Sequence, residues 1–186
     1  NKYYLGLYKL KRRTMKTLKS VIRDIPNFPK EGIIFKDITP LLSNPTSFKK
    51  AIDTLKARYE DKRIDQVVGV EARGFIFASA LAYALDCGVV MVRKPGKLPY
   101  KTYKKTYSLE YGEDSIEVHQ DAFEKGQNIV IIDDVLATGG TLAACAELVN
   151  KNFEVDLVEI GFLIELDFLK GRQKLGNIPI YSMMHF

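Results

Sequence analysis

A buried strand, two acids and a glycine turn follow one another at residues 129–142, and this segment (IVIIDDVLATGGTL) constrains the fold most. The uniformly apolar run at 129–132 predicts a strand buried on both faces, as in a parallel sheet. Asp133 and Asp134 then lie at the carboxyl end of that strand, and residues 140–151 predict a helix. A strand that leads through a short glycine turn into a helix is typical of an α/β fold.

The same alternation recurs along the chain. Uniformly apolar runs predict further strands, and apolar residues at spacings of three and four, or apolar all round, predict further helices. The predicted sheet is therefore mainly parallel and doubly wound, with flanking helices and with ligands bound beyond the carboxyl ends of its strands. These strands are 67–70, 89–92 and 155–164, and these helices are 46–60 and 74–86.

Two segments do not fit the alternation. Residues 25–45 contain several prolines and glycines around short apolar groups, which predicts a small irregular cap. Residues 93–112 predict a long, polar and flexible loop, and loops of this length in compact domains tend to be lids or disordered segments.

The net charge of +5 is concentrated at one end of the chain. Residues 1–14 carry five lysines and arginines and no acid, so residues 15–186 are neutral overall. We expect 1–14 to be a basic tail foreign to the natural protein, because a natural-looking start follows at Met15; a nucleic-acid-binding arm is the alternative. Residues 15–186 are predicted to form a single domain. No apolar run is long enough to span a bilayer, and two cysteines within apolar segments favour a reduced, cytoplasmic protein.

The turn after the two acids has the composition of a phosphate site. Gly139 and Gly140 allow the backbone to wrap a ligand closely, so that N–H groups from Ala137 to Thr141 can point at one phosphate. The helix start adds a favourable dipole, and Thr138 and Thr141 add hydroxyl donors. The turn lacks lysine and the GxxxxGK[ST] spacing, which excludes the triphosphate P-loop. Taken alone, the two acids are equally compatible with a solvated sheet edge.

The segment resembles the donor-binding signature of the type I phosphoribosyltransferases. Similarity to the members of that family that use adenine extends over essentially all of residues 15–186. Four more motifs carry it in family order: FPKEGIIFKDITP at 28–40, EARGF at 71–75, RKPGKLP at 93–99 and SLEYG at 108–112. The resemblance implies transfer of the 5-phosphoribosyl group from 5-phosphoribosyl 1-pyrophosphate to adenine, giving AMP and pyrophosphate in purine salvage.

The resemblance also assigns the residues that bind the donor. Asp133 and Asp134 would engage the ribose hydroxyls, near a Mg²⁺ cofactor that is held mainly by substrate and water, with no direct protein ligand certain. The 5-phosphate would be held by Ala137, Thr138, Gly139, Gly140 and Thr141. Arg73 offers pyrophosphate a planar fork of donors, although a surface salt bridge is its alternative role. A non-proline cis peptide is expected at or near Glu71–Ala72. The pyrophosphate site would comprise Glu71, Ala72, Arg73, Lys94 and Lys97.

The base would be bound by the cap and the lid. By resemblance, Phe35 stacks on the purine while backbone groups of Ile34 and Lys36 read its edge, and a carbonyl acceptor there suits the exocyclic amine of adenine. Phe35 as an ordinary core residue is the alternative. Glu110 would exchange a proton with the base, as a catalytic residue with Arg73, Asp133 and Asp134, and Tyr111 would pack beside it. The basic, tyrosine-containing stripe at 93–109 is also compatible with a single-strand nucleic-acid platform or a plain solvated loop.

Three functions remain open at this stage. The first is transfer to adenine by a cytoplasmic homodimer that binds neither membrane nor nucleic acid. The second is transfer to another base, such as hypoxanthine or xanthine, against which the motif around Phe35 speaks. The third is a non-catalytic regulator that keeps the donor site and binds nucleic acid through its basic arm. Three features argue against this regulator: the neutral charge of residues 15–186, the presence of Arg73, and a complete lid with Glu110.

Overall fold

The computed structural model describes residues 17–109, without the side chain of residue 109, and 112–186. The predicted basic tail at 1–14 lies outside the described residues. The chain divides into two compact units, residues 1–55 and 56–186, and each is described by itself.

The first unit contains a small antiparallel hairpin. Strands β1 (Arg23–Pro26) and β2 (Ile34–Asp37) pair, and the Asn27 side-chain oxygen accepts a hydrogen bond from the Gly32 N–H at 2.8 Å within the connecting loop. The helices α1 (Thr39–Ser43) and α2 (Pro45–Tyr59) follow, and α2 ends beyond the unit boundary. The prediction of an irregular segment over 25–45 was therefore wrong for 25–26, 34–37 and 39–43, because prolines and glycines obscured two very short strands and a short helix.

The second unit is built on a five-stranded parallel sheet. Along the chain its strands are β3 (Gln66–Val70), β4 (Gly88–Val92), β7 (Asn128–Leu136), β8 (Asp156–Glu165) and β9 (Ile180–His185), and their order in the sheet is β4-β3-β7-β8-β9. Helices α3 (Gly74–Leu85) and α4 (Gly140–Asn152) follow β3 and β7. Two short 3-10 helices, Asp167–Leu169 and Gly171–Leu175, precede β9. This confirms the predicted doubly wound α/β class.

The sheet order places the candidate site. The chain leaves β3 for β4 on one side, whereas it leaves β7 for β8 on the other, so β3 and β7 are neighbours whose connections diverge. In open α/β sheets, ligands bind at such a switch point, beyond the carboxyl ends of the two strands. The motifs at 71–75 and at 133–141 both begin there.

The core lies between the sheet and its helices. Val68, Ile131 and Ile160, from three adjacent strands, are fully buried, as is Cys145 from α4. Full burial of each such aliphatic side chain contributes about 2 kcal/mol. Glycine lets α3 approach the sheet, because a Cβ at Gly69 would lie 2.8 Å from the Cβ of Ala78.

Strand β4 departs from the predicted burial on both faces. Val90 and Val92 are buried, but Val89 and Met91 are 45% and 47% exposed. The strand is at the edge of the sheet, and one of its faces is exposed among residues 17–109 and 112–186. Its apolar sequence therefore predicted a covering that the described residues do not supply.

The second unit also contains an antiparallel hairpin that the sequence did not predict. Strands β5 (Thr102–Leu109) and β6 (Gly112–His119) pair along their whole length. The prediction of a loop over 93–112 was therefore wrong for 102–109 and for residue 112. Tyr103 and Tyr107 alternate with polar residues and pack against the core, a period-two pattern obscured by the intervening lysines.

Within residues 17–109 and 112–186, no helix combines the length and apolar character required to cross a bilayer. Both cysteines are free thiols. Cys145 is completely buried, and this burial raises the pKa of its thiol to about 12, so it is protonated at neutral pH.

Candidate active site

Asp133 and Asp134 lie near the carboxyl end of β7, as predicted. Asp134 is almost completely buried and Asp133 is partly buried. The N–H of Asp134 donates a hydrogen bond of 2.8 Å to Oδ1 of Asp133. Gly74 allows α3 to begin directly against these acids, because a Cβ there would lie 2.9 Å from Oδ1 of Asp133.

Arg73 joins the loop after β3 to this acidic pair. Its Nε lies 2.7 Å from Oδ2 of Asp134, while almost half of the Arg73 side chain stays exposed. Burial, together with the neighbouring Asp134 charge, raises the pKa of Asp133 well above its usual value. Burial also raises the pKa of Asp134, although the charge of Arg73 opposes that effect. The two carboxyl groups thus resist carrying two negative charges in the free protein.

The predicted phosphate loop, residues 137–141, bends from β7 into α4. Gly139 precedes the first helical residue with φ of 79°, a left-handed conformation that favours glycine. In the described part of the chain, no side chain caps the start of α4. The first N–H groups of a helix have no partner within it, so they can bind an anion here.

A second glycine, which sequence reasoning missed, supports this loop. A Cβ at Gly139 would lie 2.4 Å from the carbonyl oxygen of Gly171, and a Cβ at Gly171 would lie 2.2 Å from the carbonyl oxygen of Ala137. The two backbones are therefore in direct contact. The Gly-Arg pair at 171–172 was the sequence feature that could have indicated this contact. Nothing in the local sequence connects that pair with residue 139.

The turn after β3 contains the predicted cis peptide, between Glu71 and Ala72. Ala72 and Arg73 are exposed at the start of α3, whereas Glu71 points to β4. The Glu71 carboxylate accepts hydrogen bonds from Arg93 Nε at 3.2 Å and from the Lys94 N–H at 2.9 Å. Burial raises the pKa of Glu71, but these hydrogen bonds and the positive charges nearby outweigh it, so the net shift is downward. Glu71 thus organises the turn through the end of β4.

Of the predicted lid residues, the structure describes Lys94 and Lys97. Lys94 forms an ion pair with Asp114 of β6, and the Tyr107 hydroxyl lies 3.1 Å from both Oδ2 of Asp114 and Oγ1 of Thr141. The β5–β6 hairpin therefore contacts the last residue of the phosphate loop. Lys97 is exposed, and its carbonyl accepts a hydrogen bond from Arg93. The predicted roles of Glu110 and Tyr111 concern positions outside the described residues.

Sequence reasoning missed Tyr107 and Asp114, since their roles depend on the pairing of β5 with β6. The other lysines of the stripe are not all near the donor loop. Lys105 pairs with Glu147 on α4 at 2.5 Å, and it lines a surface groove of about 610 Å³ with Lys104, Lys151 and Lys174.

The predicted base-binding residues lie on β2 in the first unit. Phe35 is half-buried and makes an edge-to-face contact with Phe28, with ring centroids 5.2 Å apart. Ile34 is exposed, and Lys36 Nζ lies 2.7 Å from Oδ1 of Asp24. Among the strands that the structure describes, β2 pairs with β1 alone, so half of its backbone groups point away from β1. Phe35 is not a fully buried core residue.

A further charged cluster lies at the carboxyl ends of β8 and β9. Arg172 donates two hydrogen bonds of 2.7 Å to the buried carboxylate of Glu165, and the Ser182 hydroxyl donates one of 2.5 Å. Asp167 and His185 lie beside them, with Oδ1 and Nδ1 2.9 Å apart. Both Glu165 oxygens already accept hydrogen bonds, so this group is an ion-pair network rather than an open metal site.

A diverging pair of parallel strands, an acidic strand end and an uncapped glycine turn are features of an anion-binding site in an α/β sheet. The family model of the phosphoribosyl transferase domain matches residues 37–176. This range contains the acids, the phosphate loop and the turn with Arg73.

Individual relatives indicate which phosphoribosyltransferases this chain resembles. The chain is 57% identical over 172 residues to the adenine phosphoribosyltransferase of Syntrophotalea carbinolica, covering 92% of this chain and 100% of the relative. It is 58% identical, with the same coverage, to that of Geotalea daltonii. The chain therefore belongs to the phosphoribosyltransferase family, and within it to the adenine phosphoribosyltransferases.

Solved structures agree with this placement. The crystal structure of adenine phosphoribosyltransferase from Thermoanaerobacter pseudethanolicus superposes with a TM-score of 0.88 at 49% identity, covering 92% of this chain and 99% of that one. The Saccharomyces cerevisiae enzyme, complexed with adenine and an imino-altritol bisphosphate, also has a TM-score of 0.88, at 46% identity over 92% and 99% of the two chains. These similarities confirm the type I phosphoribosyltransferase fold.

Proposed function

We propose that this chain transfers the 5-phosphoribosyl group from 5-phosphoribosyl 1-pyrophosphate to adenine, releasing AMP and pyrophosphate in purine salvage. The observation that carries the proposal is the Arg73–Asp134 ion pair at the sheet switch point, directly before the phosphate loop. The relatives named above bear the name of this activity, and the yeast structure contains adenine.

The donor is proposed to lie across the ends of β3 and β7. The N–H groups of residues 137–141 bind its 5-phosphate, and the hydroxyls of Thr138 and Thr141 add donors. Asp133 and Asp134 accept hydrogen bonds from the ribose hydroxyls. The pyrophosphate is bound by the turn 71–73 and by the lysines of the lid, Lys94 and Lys97.

The reaction breaks the bond from the anomeric carbon to the pyrophosphate oxygen and forms a bond from that carbon to a ring nitrogen of adenine. Positive charge develops on the ribose as in glycoside chemistry. The protein orients the two reactants and stabilises the leaving pyrophosphate through Arg73, Lys94 and Lys97. The proton exchange with the base assigned to Glu110 stays a prediction.

The acidic pair fits a magnesium-dependent donor. Mg²⁺ prefers oxygen ligands and retains several waters, and Asp133 and Asp134 offer carboxylate oxygens whose pKa values are raised by burial. Mg²⁺ bound with the substrate would neutralise negative charge on the donor. Asp133 and Asp134 would hold it through the ribose hydroxyls and water.

Adenine is proposed to stack on the half-buried ring of Phe35. The backbone groups proposed to read the base, those of Ile34 and Lys36, include carbonyls, which accept a hydrogen bond from an exocyclic amine and not from a 6-oxo group. This strand edge therefore supports selection of adenine over hypoxanthine.

The proposed enzyme is a cytoplasmic homodimer. Four large apolar side chains on α3 and β4 are exposed: Ile76, Tyr83, Val89 and Met91. A second copy of the chain would bury this face and provide the covering that the apolar sequence of β4 predicts. Sedimentation tests this interface, because Met91→Glu should give monomers if it is correct and leave dimers if it is not.

The substrate is tested by pyrophosphate release from 5-phosphoribosyl 1-pyrophosphate and Mg²⁺ with adenine, hypoxanthine, guanine, xanthine or orotate. We expect turnover with adenine alone, and its loss in Arg73→Ala and Glu110→Ala. Turnover with a 6-oxo base would retain the donor site but contradict the role of β2. Donor binding without turnover of any base would contradict the enzyme and favour a regulator.

A further inference from the structure

We propose that Arg172, held by Glu165, is a positioning residue for the 5-phosphate, because it fixes the Gly171 backbone against which the phosphate loop rests. The inference rests on the proposed function only in naming the 5-phosphate as the ligand of that loop. It assigns a role to the charged cluster at the ends of β8 and β9, which the donor site itself does not use.

The phosphate loop and residue 171 are in direct backbone contact. A Cβ at Gly139 would lie 2.4 Å from the Gly171 oxygen, and a Cβ at Gly171 would lie 2.2 Å from the Ala137 oxygen. Gly171 is buried, and the next residue is Arg172. The nearest atom at each approach is a backbone oxygen, so a shift of the Gly171 backbone would move the phosphate loop.

Arg172 is anchored by the Glu165 carboxylate. Its Nε and Nη2 each donate a hydrogen bond of 2.7 Å to a different oxygen of Glu165, whose side chain is 6% exposed. The Ser182 hydroxyl donates a third at 2.5 Å. Burial raises the pKa of Glu165, but these bonds outweigh it, so the net shift is downward and the carboxylate is charged at neutral pH. A two-point contact of this kind fixes both position and direction of the guanidinium.

The anchor is also connected to the end of β7. Glu165 is the last residue of β8 and pairs with Leu136, and the N–H of Leu166 donates to the Leu136 oxygen at 3.0 Å. Leu136 directly precedes the phosphate loop. Glu165, which holds Arg172, and the phosphate loop thus begin at the ends of adjacent strands. They are connected a second time by the contact between the loop and Gly171.

The chain contains a matched control on the same strand. Arg58 also donates two hydrogen bonds to a buried carboxylate of β8, to Oε2 and Oε1 of Glu159 at 3.0 and 2.5 Å. Their side chains are 38% and 3% exposed, close to the 43% and 6% of Arg172 and Glu165. Glu159 lies toward the amino end of β8, away from the loop. Loss of stability alone would therefore be similar for Arg58→Ala and Arg172→Ala.

The experiment measures binding and kinetics in the full chain for wild type, Arg172→Ala, Arg172→Lys, Glu165→Gln and Arg58→Ala. Calorimetry gives the Kd of ribose 5-phosphate and, separately, of magnesium pyrophosphate. We expect Arg172→Ala to weaken ribose 5-phosphate binding about tenfold, which is the loss expected if the displaced loop gives up about one hydrogen bond to the phosphate. Pyrophosphate binding and the KM for adenine should be unchanged, Arg172→Lys should be intermediate, and Arg58→Ala should keep the wild-type Kd.

Equal weakening of both ligands, or the same loss in Arg58→Ala, would overturn the inference, because either result indicates general destabilisation. Wild-type Kd for ribose 5-phosphate in Arg172→Ala would overturn it too. Should Arg172→Ala fail to fold, Arg172→Lys and Glu165→Gln carry the same comparison. Failure of the wild type to turn over adenine would instead refute the proposed function, and the binding comparison would still decide this inference.

Discussion

Arg73 Nε lies 2.7 Å from Oδ2 of Asp134, which joins the loop that follows β3 to the acidic end of β7. The carboxylate is almost completely buried, whereas Arg73 keeps part of its side chain exposed. The pair thus orients a guanidinium at the switch point of the sheet.

Arg73→Ala should lower kcat/KM by about 100-fold, because it removes a charged donor from the leaving pyrophosphate. Arg73→Lys should recover only part of this loss, since an ammonium cannot reproduce the planar fork. Steady-state kinetics with adenine measure both effects. Lys56→Ala, at an exposed position of α2, is the control and should match wild type; equal activity of Arg73→Ala and wild type would contradict the role.

Asp133→Asn should abolish transfer but stabilise the free protein at neutral pH by about 1 kcal/mol, as relief of a strained functional site often does. The pKa of Asp133 is raised in the folded state, so its ionisation destabilises the fold as pH rises above the unfolded value of about 4. Denaturant unfolding should therefore show a gain at pH 7 that disappears near pH 3. A destabilised variant at pH 7 would contradict the raised pKa.

Arg58→Ala should destabilise the fold by about 3 kcal/mol, because it removes the two-point partner of the buried Glu159 carboxylate and leaves the longer ion pair with Lys62, at 3.4 Å. Burial raises the pKa of Glu159, but Arg58 outweighs it and the net shift is downward. The stabilisation is hence present above the unfolded pKa of about 4.3 and is lost as pH falls below it.

Unfolding of Arg58→Ala and wild type across this pH range measures the difference. Lys49→Ala is the control, because Lys49 and Asp53 form an exposed pair that contributes about 0.5 kcal/mol or less. A constant difference between Arg58→Ala and wild type from pH 7 to pH 3 would show that the pair does not act through charge.

Tyr107→Phe should raise the KM for the donor severalfold with little change in stability, since it removes one hydroxyl that contacts Thr141 and Asp114, a loss of about 1 kcal/mol. Tyr103→Phe is a matched control on the same face of β5, where the ring contacts Phe153 with centroids 5.5 Å apart. Donor titrations at saturating adenine distinguish the two. Identical KM values would exclude a role for the hairpin in binding the donor.

Much of the central sheet followed from local patterns. Runs of valine and isoleucine predicted β3, β7 and β8 to within a few residues, because parallel strands buried on both faces are uniformly apolar. The two hairpins were not predicted, and the reasons for this also lie in the local sequence. β2 is only four residues long, and the alternation of Tyr103 and Tyr107 in β5 was obscured by the lysines between them.

The order of residues along the chain determined the chemistry, and the tertiary structure decided which parts meet. A strand, two acids and a glycine turn form one continuous segment, so their local geometry follows from sequence. The pairing of Arg73 with Asp134 depends on β3 lying beside β7, and the contact of Gly139 with Gly171 depends on the packing of the connection after β8. Strand order and backbone packing depend on the apolar surface that the whole domain removes from water, so no local sequence pattern predicts them.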